Sequence, residues 1–344
     1  MSHAEPTPRG QLLSLVVPAY DEHDNVDGIF AFYNDIRQAY ESPDVSFELI
    51  IVDDGSTDGT AEACAAAART TTDVRLVQLS RNFGSHAAIS AGYAYARGDA
   101  ALTLSADRQE PLEAIGDFIR EWQAGADIVW GLRSVRVAKN GMYDRFATGF
   151  SRVYQARSDV PSYPAEGPSQ ILVTRAVLDV ILAMPELNRN VLAMAAWTGY
   201  DQRKIYFEQL PRPHGASKWT SRKKRKLVID SFVEFSHAPL QWLAGIGLAF
   251  GAIALVLLLL AIVLLIAQGW MAAAVSAVIG VTFGVGGVIM GGLSVVGEYV
   301  WRAGDDARRR PLFIARRVRD VGGPRQPDAN ADAGTPAVKG GQHD

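Results

Sequence analysis

Apolar residues recur along the first part of this chain in two alternating rhythms. Short unbroken runs occur at Leu12–Val17, Phe47–Val52, Val74–Leu79 and Ala100–Leu104, and Asp127–Trp130 adds one more. Runs this short and continuous read as strands buried on both faces. Between them the apolar positions shift to a helical period, as at Val26, Ile29, Phe30, Tyr33 and Ile36, where Asp24 or Asn25 suits the cap. Further helices are expected over 58–69, through Arg97, and over 112–124. Strands alternating with helices predict an α/β unit with a mostly parallel sheet and helices on both faces.

Beyond Trp130 the pattern weakens. Residues 134–165 carry Phe146, Phe150, Val153 and Tyr154 at helical spacing, which fits an ordinary packed amphipathic helix. From Leu227 to Phe235 apolar positions alternate with Asp230 and Glu234, as in a helix lying at a membrane interface. Then the charge disappears. No Asp, Glu, Lys or Arg occurs in the 60 residues from Ala238 to Gly297. As helix that run would extend about 90 Å, enough for two crossings of a hydrocarbon core of about 30 Å. It predicts a two-helix transmembrane hairpin, 240–266 and 271–297.

Charge orients the hairpin. Arg222–Lys226 and Arg308–Arg310 flank it, whereas Ala267–Trp270 between the spans carries no charge, so the positive-inside rule predicts both termini and the α/β unit in the cytoplasm, at the inner membrane of the cell. The basic run also suits anionic headgroups. Met1–Gly10 is polar and Leu12–Val17 is too short for a signal core, so no leader is expected. The expected organisation is a flexible 1–11, an α/β domain at 12–220, a basic juxtamembrane helix at 221–239, two spans within 240–300, a cytoplasmic segment at 301–320 and a disordered tail at 321–344. With 344 residues, 48% of them hydrophobic, the chain can bury a sizeable core, and its net charge of −3 averages very different regions. Its single cysteine, Cys64, cannot form an intrachain disulfide and suits a small core position. No repeat and no nucleic-acid module is evident, and a homo-oligomer stays open.

The candidate chemistry lies where strands end. Pro18-Ala-Tyr-Asp-Glu22 follows the first strand, Asp53-Asp-Gly-Ser-Thr-Asp-Gly59 the second, and Ser105-Ala-Asp-Arg-Gln-Glu-Pro111 the fourth. Open α/β sheets place ligands at this edge. A glycine-rich G-x-G-x-x-G turn is absent after the first strand, so that loop is not expected to cradle phosphates. Tyr20 could stack on a base, and Glu22 and Asp53 could accept from a base N–H or ribose hydroxyls. Asp107 and Gln109, at alternate positions of an extended segment, could hold Mg²⁺ or Mn²⁺ with a diphosphate completing the shell. The plainer alternative for each is a turn residue or helix cap, with Pro111 opening a helix at its first position. Six scattered histidines form no H-x-x-x-H pair, and His86 and His214 suit capping or packing.

Val16–Glu22, Val52–Thr60, Asn82-Phe-Gly84 and Ser105–Pro111, in this order, resemble the motifs of family 2 inverting glycosyltransferases with a GT-A fold. Arg212-Pro-His-Gly-Ala-Ser-Lys-Trp219, the hairpin, Gly297-Glu-Tyr299 and Arg310–Phe313 narrow the resemblance to the polyprenyl-phosphate glycosyltransferases, over residues 12–318. It implies that Pro18, Tyr20, Glu22, Asp53 and Asp54 bind the nucleotide sugar and that Asp107 with Gln109 forms the metal-diphosphate site. It also sets Arg133, after the fifth strand, beside the acceptor phosphate, with Arg212, Ser217 and Lys218 near phosphate, and makes 134–165 a mobile segment over the acceptor site.

The implied reaction is metal-dependent transfer of one sugar from a nucleotide-sugar donor, UDP-linked, to an undecaprenyl-type polyprenyl phosphate, for cell-envelope glycan modification. A phosphate monoester, with a second pKa of about 6, is already anionic at neutral pH and needs little base. Three departures bear on this: Ser105 stands for the first aspartate of D-x-D, Arg108 and Glu110 stand for a leucine and an aspartate, and Gly167-Pro-Ser-Gln170 replaces a Gly-Asp-Phe-like segment. They leave open a non-catalytic nucleotide-sugar-binding protein or partner subunit. Processive polysaccharide synthases share the domain, but their Q-x-x-R-W motif is absent.

Overall fold

The structure is a computed structural model that describes residues 10–133, 162–164, 168, 170–187, 189–211, 271–308 and 310–321. Arg212, Ser217 and Lys218, the juxtamembrane segment 221–239, the first expected span and nearly all of 134–165 lie outside the described residues. The chain divides into an α/β unit, which includes the segment from Pro311 onward, and a second unit centred on 221–310.

In the α/β unit the expected alternation is present. β1 (Gln11–Ala19), α1 (Val26–Tyr40), β2 (Val45–Asp53), α2 (Thr60–Ala67), β3 (Val74–Leu79), α3 (Ser85–Tyr95), β4 (Ala100–Thr103), α4 (Leu112–Gln123) and β5 (Ile128–Arg133) follow in order. Three strands were not expected: β6 (Gln170–Thr174), β7 (Gln202–Phe207), and β8 (Ala315–Val321), with α5 (Arg175–Ala183) and α6 (Val191–Trp197) between β6 and β7. The sheet runs β7-β5-β6-β4-β1-β2-β3-β8. β1, β2, β3 and β4 are parallel, β6 is antiparallel to both β4 and β5, β7 is parallel to β5, and β8 is antiparallel to β3. Among the described strands six therefore share one direction, and β6 and β8 oppose them.

Alternation along β1 sends its side chains to two apolar layers. Leu13, Leu15 and Val17 join Ile29, Tyr33 and Ile36 of α1 and Phe118 of α4 in one core. Val16 faces α3 so closely that a Cβ on Gly92 would fall 2.2 Å from its Cγ1. Only glycine admits that helix-to-strand approach. Cys64 is buried, as expected, and burial pushes its thiol up to about 12.

The C-terminal strand closes the β3 edge. Arg75 of β3 donates from Nε to Asp320 Oδ1 (2.6 Å) and Arg97 from Nη2 to Asp320 Oδ2 (2.7 Å), while Phe313 packs on Tyr95 with ring centroids 6.4 Å apart. Val321 completes β8, so structure extends into the segment expected to open the tail.

In the second unit the described element is one helix, α7 (Met271–Ala307), of 37 residues. It continues past 297, through Glu298 to Asp305 and Asp306. Gly284–Trp301, with mean hydropathy 1.2, is long and apolar enough to cross a membrane. The other half of the expected hairpin lies outside the described residues.

Candidate functional site

The parallel register sets the strand ends that carry the candidate residues. Ala19 lies opposite Asp53, the last residue of β2, and Asp54 N donates to Ala19 O at 2.8 Å. The Pro18–Glu22 and Asp53–Gly59 loops are thereby neighbours, and they are stitched together. Asp21 N donates to Ser56 Oγ (2.9 Å), Thr57 N to Asp21 Oδ1 (2.9 Å), Glu22 N to Thr60 Oγ1 (2.9 Å) and His23 N to Asp58 Oδ2 (3.1 Å). Asp21 adopts φ +50°, a conformation that aspartate tolerates in a tight turn. Gly55, at φ +71°, lies so near Arg81 that an added Cβ would fall 2.4 Å from that residue's carbonyl carbon.

Within this corner the two adjacent aspartates differ. Asp53 is fully buried, its Oδ1 accepts from Ser56 N (3.0 Å), and its Oδ2 has no hydrogen-bond partner among the described residues. Asp54, 3% exposed, spends both oxygens on backbone: Oδ1 accepts from Phe83 N (2.7 Å) and Oδ2 from Gly84 N (2.9 Å). It pins the Asn82-Phe-Gly84 segment that opens α3. Burial raises its pKa, and the two N–H donors pull the other way. Glu22 Oε2 accepts from Asn25 Nδ2 (2.6 Å), and Pro18 and Tyr20 are half-buried at the same corner.

On the other side of β1, Leu104 N donates to Val16 O (2.9 Å), and the chain then turns. The 105–110 segment is not the extended strand end that the alternation of Asp107 and Gln109 presumed: Arg108 sits at φ +50° and Arg108 N donates to Ser105 O. Asp107 is half-buried on this turn. Gln109 is held from the side, with Oε1 accepting from Gln209 Nε2 (2.8 Å) and Nε2 donating to Leu210 O (3.3 Å). Pro111, expected at the first helical position, is instead the N-cap of α4 and offers no side-chain cap hydrogen bond.

Glu110 was not a candidate, yet it is the most buried carboxyl of the turn at 1% exposure. Its Oε1 accepts from Ser105 Oγ (2.5 Å) and from Gln170 Nε2 at the start of β6. Burial pushes its pKa up to about 7, against the lowering effect of the Ser105 hydrogen bond. Nothing local in the sequence flags Gln170, which lies 60 positions away.

Arg133 is exposed as the final residue of β5, not beyond it, and it pairs in register with Phe207. Pro18, Tyr20, Glu22, Asp53, Asp54, Asp107, Gln109 and Arg133 thus all lie at the C-terminal edge of same-direction strands. No group of three or more His, Cys, Asp or Glu side chains fit to hold a metal forms among the described residues. The donor set at Asp107 fits a cation that takes one carboxylate from protein and the rest from phosphate and water, the habit of Mg²⁺. Gln109 Oε1, which accepts from Gln209 through one of its two lone pairs, could join it through the other. His86, expected to pack or cap, is partly buried with Nδ1 accepting from Val191 N (3.3 Å), and burial lowers its pKa to about 4.

The mostly parallel α/β sheet, with its acidic loops at the C-terminal edge, is a GT-A-like fold. Residues 14–182 match Glycosyl transferase family 2. An uncharacterized glycosyltransferase of Synechocystis sp. is 30% identical over 88% of this chain and 94% of its own. A prophage bactoprenol glucosyl transferase homolog of Escherichia coli is 30% identical over 89% and 99%, and an undecaprenyl-phosphate 4-deoxy-4-formamido-L-arabinose transferase of Pseudomonas paraeruginosa 30% over 89% and 90%. The chain belongs to glycosyltransferase family 2 and is a glycosyltransferase.

Proposed function

We propose that this enzyme transfers a single sugar from a nucleotide-sugar donor, UDP-linked, to an undecaprenyl-type polyprenyl phosphate at the cytoplasmic face of the inner membrane, with inversion at the anomeric carbon. The observation that carries this reading is the reach of the similarity, which covers 99% and 90% of relatives named for bactoprenol and undecaprenyl-phosphate sugar transfer. The apolar stretch Gly284–Trp301 supports a membrane-held enzyme acting on a lipid.

Each residue of the edge has a task under this reading. Asp53, with a buried oxygen to spare, would accept from the base or ribose, while Pro18, Tyr20 and Glu22 line the nucleotide and Asp54 holds the Asn82-Phe-Gly84 segment beside it. Asp107, with Gln109, would hold a Mg²⁺ or Mn²⁺ ion. Such an ion supplies charge neutralisation for the departing nucleoside diphosphate. Arg133, together with Arg212, Ser217 and Lys218, would receive the acceptor phosphate, whose anionic oxygen needs alignment with the anomeric carbon more than it needs a base. Attack from the face opposite the leaving group inverts the centre.

The test is to incubate purified protein with undecaprenyl phosphate, Mn²⁺ or Mg²⁺ and a panel of nucleotide sugars, then to weigh the lipid product. A mass gain of one hexose from one donor is expected. No lipid-linked product from any donor or polyprenol would refute the reading.

A further inference from the structure

The chain departs from its family's pattern at Ser105, at Glu110 and in the 167–170 segment, and in the structure these departures meet. Ser105 Oγ donates to Glu110 Oε1 at 2.5 Å, and Gln170 Nε2 donates to the same oxygen. Glu110 is 1% and Gln170 5% exposed. The first contact spans the base of the turn that carries Asp107 and Gln109. The second fastens that turn to β6, the strand lying between β4, which leads into the Asp107 turn, and β5, which ends in Arg133. Gln170 pairs with Gly131 of β5, where an added Cβ would fall 2.7 Å from Phe118 Cζ and 3.3 Å from Gln170 Cβ, so the anchor is closely packed.

Two further observations give this contact set a purpose. Arg108, inside the turn, holds a left-handed φ of +50° that non-glycine residues rarely keep without support. Its guanidinium lies against α1, where a Cβ on Gly28 would meet Arg108 Cζ at 2.4 Å. The turn is thus packed against α1 through Arg108 and hydrogen-bonded across its base by Ser105 and on its β6 side by Gln170. An aspartate at 105 would set a second carboxylate against buried Glu110, and two carboxylates in contact cannot both stay ionised. A hydroxyl at 105 instead supplies the donor that a buried acid needs.

We propose that Ser105, Glu110 and Gln170 form one hydrogen-bonded brace, so that Glu110 is a positioning residue that holds the Asp107 turn in metal-binding geometry. The serine in the D-x-D position is then not a lost ligand but one half of a paired replacement with Glu110. This rests on the proposed function, in which Asp107 serves a metal-diphosphate site. Partners that orient a ligand contribute about 10- to 100-fold to metal affinity.

The test uses the full chain in detergent, with Mn²⁺ binding followed by electron paramagnetic resonance in the presence of UDP and, separately, GDP. Ser105→Ala should weaken Mn²⁺ binding by about tenfold or more. Ser105→Thr, which keeps the hydroxyl, should restore it. Gln170→Ala should act in the same direction as Ser105→Ala, and the double variant should lose less than the product of the two, as members of one unit do. Should Ser105→Ala and Gln170→Ala bind Mn²⁺ as the wild type does, losing only thermal stability, the contacts are structural and the proposal fails while the metal-site reading stands. Should the wild type itself show no nucleotide-dependent Mn²⁺ binding, the metal-site reading falls and takes this proposal with it.

Discussion

Replacing Asp54 by asparagine separates a residue that touches nucleotide from one that builds its site. Both Asp54 oxygens accept from backbone N–H groups, Phe83 at 2.7 Å and Gly84 at 2.9 Å, in a position 3% exposed. Hydrogen bonds to a charged group contribute about 1.5–3 kcal/mol each, and an unsatisfied buried donor costs a similar amount. Asparagine keeps one acceptor and turns an amide N–H₂ toward the other donor, so one bond is lost and two donors oppose each other. Relief of the desolvation that raises the Asp54 pKa offsets part of this. The net loss expected is about 2 kcal/mol, or roughly 4–8 °C in the unfolding midpoint of a unit this size. Nucleotide affinity, measured by calorimetry well below that midpoint, should change by less than about fivefold, an indirect effect of about 1 kcal/mol. Asp53→Asn should do the reverse, because Asp53 Oδ2 has no partner among the described residues: tenfold or more in affinity, about 1.4 kcal/mol, with a small midpoint shift. An Asp54→Asn protein with an unchanged midpoint and abolished nucleotide binding would refute the pinning role and put its carboxylate on the ligand.

Asp107→Asn, which keeps the shape of a half-buried side chain, should leave the midpoint nearly unchanged and lower the lipid-transfer rate by about a hundredfold or more across a metal titration; near-normal turnover would remove it from the chemistry. The pH dependence of stability should carry a His86 signature. Its native pKa near 4 lies below the usual 6.5, so the neutral ring's contribution is fully present above pH 6.5 and lost as pH falls toward 4, by at most about 3 kcal/mol. His86→Gln should flatten that part of the urea-midpoint profile, and an unchanged profile would exclude His86 as its source. Asp320→Ala, which removes the partner of Arg75 and Arg97, should cost about 1 kcal/mol, less in high salt, since Asp320 is 63% exposed; no salt-sensitive loss would make the ion pair idle. Reporter fusions at Gln268 and at the C-terminus should fall on opposite sides of the membrane, and matching signals would refute the hairpin.

The strands that were legible in the sequence are those buried on both faces, because burial on both faces writes an unbroken apolar run. β7 escapes this signal as an edge strand: Lys204 and Tyr206 are exposed, and Arg203, on the face of buried Ile205 and Phe207, is charged and bonds Glu121 of α4. β8 escapes it more fully: five of its seven residues are exposed, four of them charged, so its pairing with β3 leaves no hydrophobic record. β6 was hidden for a different reason. Its apolar Ile171–Val173 runs into Val177, Leu178 and Ile181 of α5 with neither glycine nor proline at the boundary, so strand and helix read as one apolar stretch. That hidden strand matters for the site, because it alone brings Gln170 to Glu110.

The chemistry at each strand end was readable as a residue type, whereas its geometry depended on backbone that local pattern does not encode. The expectation that Asp107 and Gln109 project together assumed the period of an extended chain, and one left-handed residue, Arg108, cancels that period. The residues that make such a turn stable, Ser105, Glu110 and Gln170, were visible in sequence only as departures from a family pattern. Taken singly, Ser105 and the 167–170 segment count against catalysis, because each lacks an acidic group where one is usual, while Glu110 keeps one. Taken as a contact set, they conserve what the site needs from that acid: one buried carboxyl, supplied with two donors, closes the turn below Asp107. A departure therefore weighs against function only when its lost contact is not replaced from elsewhere in the fold, and here the replacement comes from a strand 60 positions away.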